Sequence, residues 1–310
     1  MLKKEQLEAL LTRAMHSFAD FAEIFEEEGT NENIAMINDE VERVNRTQKA
    51  GVGIRLYQGV QSVYGYTNDT SMESLNELVD SLRDGFGRKD TYISVSLHPE
   101  TIENKHLVKI DPIDAKLTDK VALITRMDTA AKQYDARISK TQTGLLSVRQ
   151  HVQISNSEGK LVQDTRTRCR LVCSAYANEG NNMQSGFYGP GASSGLEYFE
   201  TITPEEIGKE AARIAIVMLS AKDCPSGKMP VIIDNGFGGV IFHEACGHAL
   251  EATAVSKNQS VFANKLGQQI ASTKVTAIDD GTIPNGWGSE NIDDEGNPQT
   301  RRVLIKEGIL

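Results

Sequence analysis

Leu7, Leu10, Leu11, Ala14 and Phe18 recur at the spacing of one helix face, which predicts that the chain opens with an amphipathic helix lying on a core. From about Asp20 to Tyr66 the period shortens towards two. Val52, Ile54 and Leu56 alternate with Gly53 and Arg55, and Val60, Tyr64 and Tyr66 alternate with polar or small residues. Tyr57-Gln58-Gly59 reads as a turn between them, so the stretch is predicted to be a meander of strands. Thr70-Ser71-Met72-Glu73 then reads as a capping box, and Leu75, Val79, Leu82 and Phe86 supply the buried stripe of a second helix. Helix, strands and helix together make an α+β layer.

The segment Gly87 to Asp114 has charges, prolines at 99 and 112 and weak periodicity, which suits a connection between domains. A third helix is predicted with Val121, Ile124, Met127, Ala131 and Tyr134 on one side. Leu146, Val148, Gln150, Val152 and Ile154 then lead into a hairpin turn at Asn156-Ser157-Glu158-Gly159, and Leu161 to Ala175 returns. Asn178 to Ser194, rich in Gly, Asn and Ser, reads as an irregular surface loop or a flap over a peptide groove. Thr203-Pro204-Glu205-Glu206 opens a fourth helix with Ile207, Ala211, Ile214 and Met218 inward. Val231-Ile232-Ile233 is predicted to be a short strand, Asn235 to Gly239 a flexible turn, and Val240 the start of another helix. The expected class is α+β: an N-terminal mixed α/β layer (1–110), a β-rich middle domain with helices (111–225) and the start of a third domain (226–310).

Composition narrows the function classes. The 310 residues are 39% hydrophobic and 25% charged, with a net charge of -10 and a pI near 5.2. A surplus of acid disfavours nucleic-acid binding, which rests on Lys and Arg facing phosphates. The N-terminus lacks a signal-peptide apolar segment, and no run has the length of a membrane span, so a cytoplasmic protein without a membrane partner is expected. Cys169, Cys173, Cys224 and Cys246 have no paired C-x-x-C spacing and fit reduced, structural thiols. The glycines before Val240 are not followed by the Lys of a phosphate-binding loop, and the acidic Gly turns at Asp279-Asp280-Gly281 and Asp293-Asp294-Glu295-Gly296 lack calcium-loop spacing.

The chemistry-bearing stretch is His243-Glu244-Ala245-Cys246-Gly247-His248. Two imidazoles can hold a divalent metal such as zinc, and a neighbouring Glu can take a proton from the attacking water, the arrangement of metal-assisted peptide hydrolysis. In the familiar His-Glu-x-x-His pattern the histidines share a helix face. Here the spacing is one residue longer, which places them about 140° apart on an ideal α-helix. A π-bulge would bring residues five apart back together, and Gly247 lowers the cost of a local distortion. On spacing alone, two unrelated helix histidines on different faces remain the competing reading.

His243-Glu244-Ala245-Cys246-Gly247-His248-Ala249-Leu250-Glu251, followed by the Phe262–Gly267 segment, Asp279-Asp280-Gly281-Thr282, Asp293-Asp294-Glu295-Gly296 and Val303–Gly308, resembles the TldD branch of the TldD/PmbA metalloproteases over the whole chain. The resemblance implies a metal-dependent peptidase, with zinc or another divalent transition metal held by His243 and His248 and Glu244 as the catalytic base. It implies unfolded proteins or peptides as substrates, and a homodimer or a heterodimer with a related PmbA-type subunit. The alternative is a non-catalytic peptide-binding subunit of such a complex. Two departures stand out. The family motif continues Gly-Asp after Leu-Glu, where this chain has Ala252-Thr253, and the family takes a third metal ligand, a cysteine, from a region that would lie beyond Leu310. The chain is thus expected to be the first two-thirds of such an enzyme.

Overall fold

The computed structural model describes residues 1–89 and 93–310; residues 90–92, inside the stretch read as a connection, lie outside the described residues. The chain divides into two compact units, Met1–Ala221 with Gly281–Gln299, and Lys222–Asp280 with Thr300–Leu310.

The first unit is an α+β layer built on one long sheet. Its strands are β1 (Phe21–Ile37), β2 (Glu40–Gln58), β3 (Gln61–Thr67), β4 (His98–Glu100), β5 (Ile138–Asn156), β6 (Lys160–Glu179), β7 (Asn182–Tyr188) and β8 (Gly191–Ala192), in the order β3-β2-β1-β5-β6-β4, with β7 and β8 also on β6. β1 pairs with β5 from Glu23↔Asn156 to Ile37↔Gln142, so strands from the segments 1–110 and 111–225 share the sheet. The expected turns at Gln58-Gly59 and Asn156–Gly159 are present. The stretch 178–194 is not an irregular loop: β7 pairs back on β6 from Cys173↔Tyr188 to Glu179↔Asn182. Its Gly and Asn content served a tight hairpin at Gly180, whose φ is +59°.

Helices α1 (Lys4–Met15), α2 (Met72–Phe86), α3 (Leu117–Lys132) and α4 (Pro204–Leu219) lie on the face that the even-numbered β1 residues present. At one end α1 and α2 cover Ala22, Ile24, Val52, Ile54 and Leu56; at the other α3 and α4 cover Ile34, Met36, Leu145, Leu171 and Cys173. Phe18 falls beyond α1 and is half exposed, and Tyr134 and Met218 also reach solvent. The inward face of α4 is Ile207, Gly208, Ala211, Ala212 and Ala215, a row of small residues that lets the helix lie close. Thr203 and Glu206 form the predicted capping box, with Glu206 N–H donating to Thr203 Oγ1 at 3.3 Å. At α2 the cap is Ser71 alone, accepting from Ser74 N–H, because Glu73 falls one position short of the reciprocal bond.

A Cβ on Gly208 would stand 2.1 Å from Met127 O on α3. Gly208→Val is therefore expected to prise the helices apart and cost about 1–3 kcal/mol or more; an unchanged urea midpoint would show that the close approach is not required. Burial pushes the thiols of Cys169 and Cys173 up to about 12, as suits inert core groups. Asp128, fully buried between Thr141 and Lys132, is raised by burial, with Asp39 sharing Lys132. A carboxyl raised in the folded state contributes stability below its unfolded pKa and loses it as pH rises through the folded one. Asp128→Asn should thus melt higher than wild type at pH 7, with the gap closing as pH falls towards 4 (the ordinary Asp range). Melting curves across that range check it, and a variant that melts lower at pH 7 contradicts it.

The opposite sheet face carries a strap, residues 281–299. Arg166 donates to Asp294 Oδ1 at 2.7 Å and to Ile292 O at 3.1 Å, Arg168 pairs with Glu290, and Arg170 lies over the Trp287 ring. Ile292 completes a small cluster with Val152, Ile154 and Val162. The acidic turn at 293–296 thus anchors the strap to β6, with the exposed Asp294 paired to the buried Arg166.

The second unit holds β9 (Ala277–Asp280) paired antiparallel with β10 (Arg301–Ile305). Val231–Ile233 forms no strand; all three side chains are exposed. A β-branched run becomes a strand only where a neighbour pairs with its backbone groups, and among the described residues none does.

Candidate metal centre

The motif lies on a helical segment whose winding changes three times. Gly236–Gly239 forms a 3-10 turn, Val240–Phe242 is α-helical, His243–Gly247 is π-helical and His248–Leu250 tightens to 3-10. His248 N–H donates to His243 O, a bond to the fifth residue back, which defines the wide turn. The consequence is geometric: the two imidazole centroids are 4.4 Å apart, where an ideal α-helix would have turned them away from each other. Gly247 has ordinary helical angles, so backbone freedom is not its use here. Its use is space, since a Cβ there would lie 3.2 Å from His243 Nδ1.

His243, Glu244 and His248 are all exposed, and their ligand atoms lie within 4.8 Å of one another. Two nitrogens on one tetrahedral ion, each about 2.0–2.1 Å from it, sit roughly 3.4 Å apart, a gap that exposed side chains close by rotation about χ1 and χ2. The donor set suits a borderline transition metal better than magnesium or calcium, which prefer oxygen. Glu244 Oε2 stands 3.7 Å from His248 Nε2.

Sequence reasoning gave no role to Glu251. Its Oε1 meets His248 Nδ1 at 2.7 Å, so the Nδ1–H donates to a carboxylate and Nε2 is left as the lone-pair nitrogen. The same bond raises the His248 pKa. The signal was present in the sequence as a Glu three residues after a His on one helical turn. Cys246 is half-buried and is not one of the clustered groups. Beside the imidazoles a cavity of about 400 Å³ is lined by Phe242, His243, Leu250, Glu251, Ile278, Asp279 and Leu304, which brings β9 to the wall of the site.

Comparison with known proteins bears on what such a cluster serves. Profiles of the PmbA/TldA metallopeptidases match in series: domain 1 over residues 22–84, the central domain over 110–219 and the C-terminal domain over 226–310. A metalloprotease TldD homolog of Haemophilus influenzae is 32% identical over 303 residues, covering 95% of this chain and 63% of the relative. A metalloprotease of Methanocaldococcus jannaschii is 31% identical over 319 residues, covering 100% of this chain and 68% of the relative. In fold, the chain resembles the crystal structure of a proposed modulator of a DNA gyrase from Thermotoga maritima, with a TM-score of 0.79 at 24% identity, over 99% of this chain and 68% of that one. The chain thus spans about two thirds of the length of these relatives, and no helix among its described residues is long and apolar enough to cross a membrane. With three family domains in order and relatives near 30% identity along nearly its whole length, the chain belongs to the TldD/PmbA metallopeptidase family.

Proposed function

We propose that the chain carries the catalytic helix of a peptidase that hydrolyses peptide bonds in unfolded proteins or peptides, with His243 and His248 as ligands of a zinc or similar divalent ion and Glu244 as general base. The observation that carries this reading is the π-turn, because it removes the one geometric objection to the two histidines sharing an ion. A bound divalent cation supplies Lewis-acid polarisation of the scissile carbonyl and acidifies water. Glu244, next in sequence to one ligand and within 3.7 Å of the other, takes the proton of the attacking water and passes it to the leaving amine. Glu251 fixes the His248 ring. The apolar walls of the adjoining cavity, Phe242, Leu250, Ile278 and Leu304, receive a substrate side chain. The peptidase acts in the cytoplasm as a homodimer or with a related PmbA-type subunit.

Zinc titration by calorimetry tests the ligand assignment. Wild type should bind one equivalent, His243→Ala and His248→Ala should abolish it, and Glu251→Gln should weaken it about 10–100-fold by releasing the His248 ring. Equal binding by wild type and both histidine variants would place the ion elsewhere.

A further inference from the structure

β2 has an outer edge that the sheet covers only in part. β3 pairs with it from Val52 to Gln58, and among the described residues no strand pairs with the outer side of Glu40–Ala50. Every residue of that stretch is exposed. At about 3.4 Å per residue the open edge runs roughly 35 Å, about twice the length of an ordinary strand. It is also rigid, because its inner side is paired with β1 from Ile37↔Glu40 to Glu28↔Ala50, and β1 is held in turn by β5.

Two features of its side chains speak to what lies against it. Val44 sits across from Ile34 and Val41 across from Met36, both buried in the core under α3 and α4. The apolar layer therefore continues to the rim of the sheet and stops there with Val41 and Val44 at 43% and 45% exposure. The charges are sorted: Glu40 and Glu42 occupy one end, and Arg43, Arg46 and Lys49 the middle and the other end. Charges and bulges usually guard an edge, and a bulge is present opposite Ala35/Met36. Sorted charges do something more. Antiparallel to itself about Val44, this edge sets Glu42 of each copy against Arg46 of the other and Lys49 against Asp39 just beyond the stretch; parallel to itself, it sets like against like. Arg46 and Lys49 pair within the chain with Glu32 at 3.8 Å and Glu27 at 2.8 Å, yet their side chains remain accessible at the rim.

We propose that Glu40–Ala50 is a self-pairing edge: a second copy of this chain lays its own Glu40–Ala50 antiparallel along it, about a two-fold axis near Val44, joining two sheets into one. The contact is isologous, so every favourable pair occurs twice. A peptide of arbitrary sequence would gain the backbone hydrogen bonds but not the charge match. The inference gives a surface to the homodimer of the proposed function and rests on that part of it alone, without the metal chemistry.

Sedimentation equilibrium of the intact chain tests it. Wild type should dimerise, and Val44→Lys and the pair Glu40→Lys/Glu42→Lys should each raise the dissociation constant about tenfold or more. Reversing the facing positions as well, with Arg46→Glu and Gln48→Glu added to the lysine pair, should restore association, because residues 42 and 46 and residues 40 and 48 face one another about an axis at Val44. Backbone amides of 40–50 should gain hydrogen-exchange protection as concentration rises. Thermal melting confirms that the variants fold, since all the altered side chains are exposed. A wild type that stays monomeric to its solubility limit, or a dimer indifferent to both sets of substitutions, would overturn the proposal; zinc binding and peptide hydrolysis are read separately and do not bear on it.

Discussion

Hydrolysis of an unstructured peptide by the metal-loaded protein should fall about 10²–10⁴-fold in Glu244→Gln, the range that a positioned general base supplies. Metal content should barely change. The amide keeps the size and hydrogen-bonding shape of the side chain but cannot take a proton at neutral pH, so the loss belongs to kcat. The position of Glu244 explains why no neighbour replaces it: Glu251 is the next carboxylate on the helix, and it is committed to His248 Nδ1. A rate within threefold of wild type (about 0.6 kcal/mol of barrier) would eliminate Glu244 as the base. Loss of metal together with activity would instead make it a ligand, which its place among the three clustered groups allows chemically.

The motif shows how much of a site one-dimensional spacing can carry. A five-residue interval between histidines is wrong for an α-helix, and the wrongness itself pointed to a wider turn. Glu251 went unassigned because a Glu three residues from a His is common on helix surfaces and gains meaning only when the ring nitrogen it meets is known. Most of the first unit was legible for a similar reason: period-two and helical patterns mark one-sided burial, as in β1 and in β2 from Gly51 to Tyr57. What did not read through was long-range. Nothing local in Asp293-Asp294-Glu295-Gly296 indicates that Arg166, on β6, waits for Asp294. Val231-Ile232-Ile233 failed in the other direction, because strand propensity without a partner strand leaves backbone groups that water satisfies as well.

Lys120 offers the largest expected effect on stability and also the clearest separation of a pair from its parts. Its side chain is 2% exposed, on the first turn of α3, and its Nζ donates to Glu32 on β1 and to Pro112 O at 3.1 Å. Glu32 is also buried, at 7% exposure, with Arg46 3.8 Å from its other oxygen as the remaining cation. Lys120→Met keeps the aliphatic stem and removes the ammonium, which strands the Glu32 carboxylate in the core and leaves Pro112 O without its donor. Breaking a buried pair from one side costs about 3–5 kcal/mol, whereas replacing both partners by apolar groups is often near neutral. Lys120→Met should therefore lower the urea midpoint sharply, and Lys120→Met/Glu32→Leu should recover most of the loss. The coupling arises because the single variant pays for a desolvated charge that the double variant no longer contains. A single-variant cost below about 1 kcal/mol, the size of an exposed pair, would mean that water reaches Glu32 and that this end of the sheet is less well sealed by α3 than the burial of Lys120 implies.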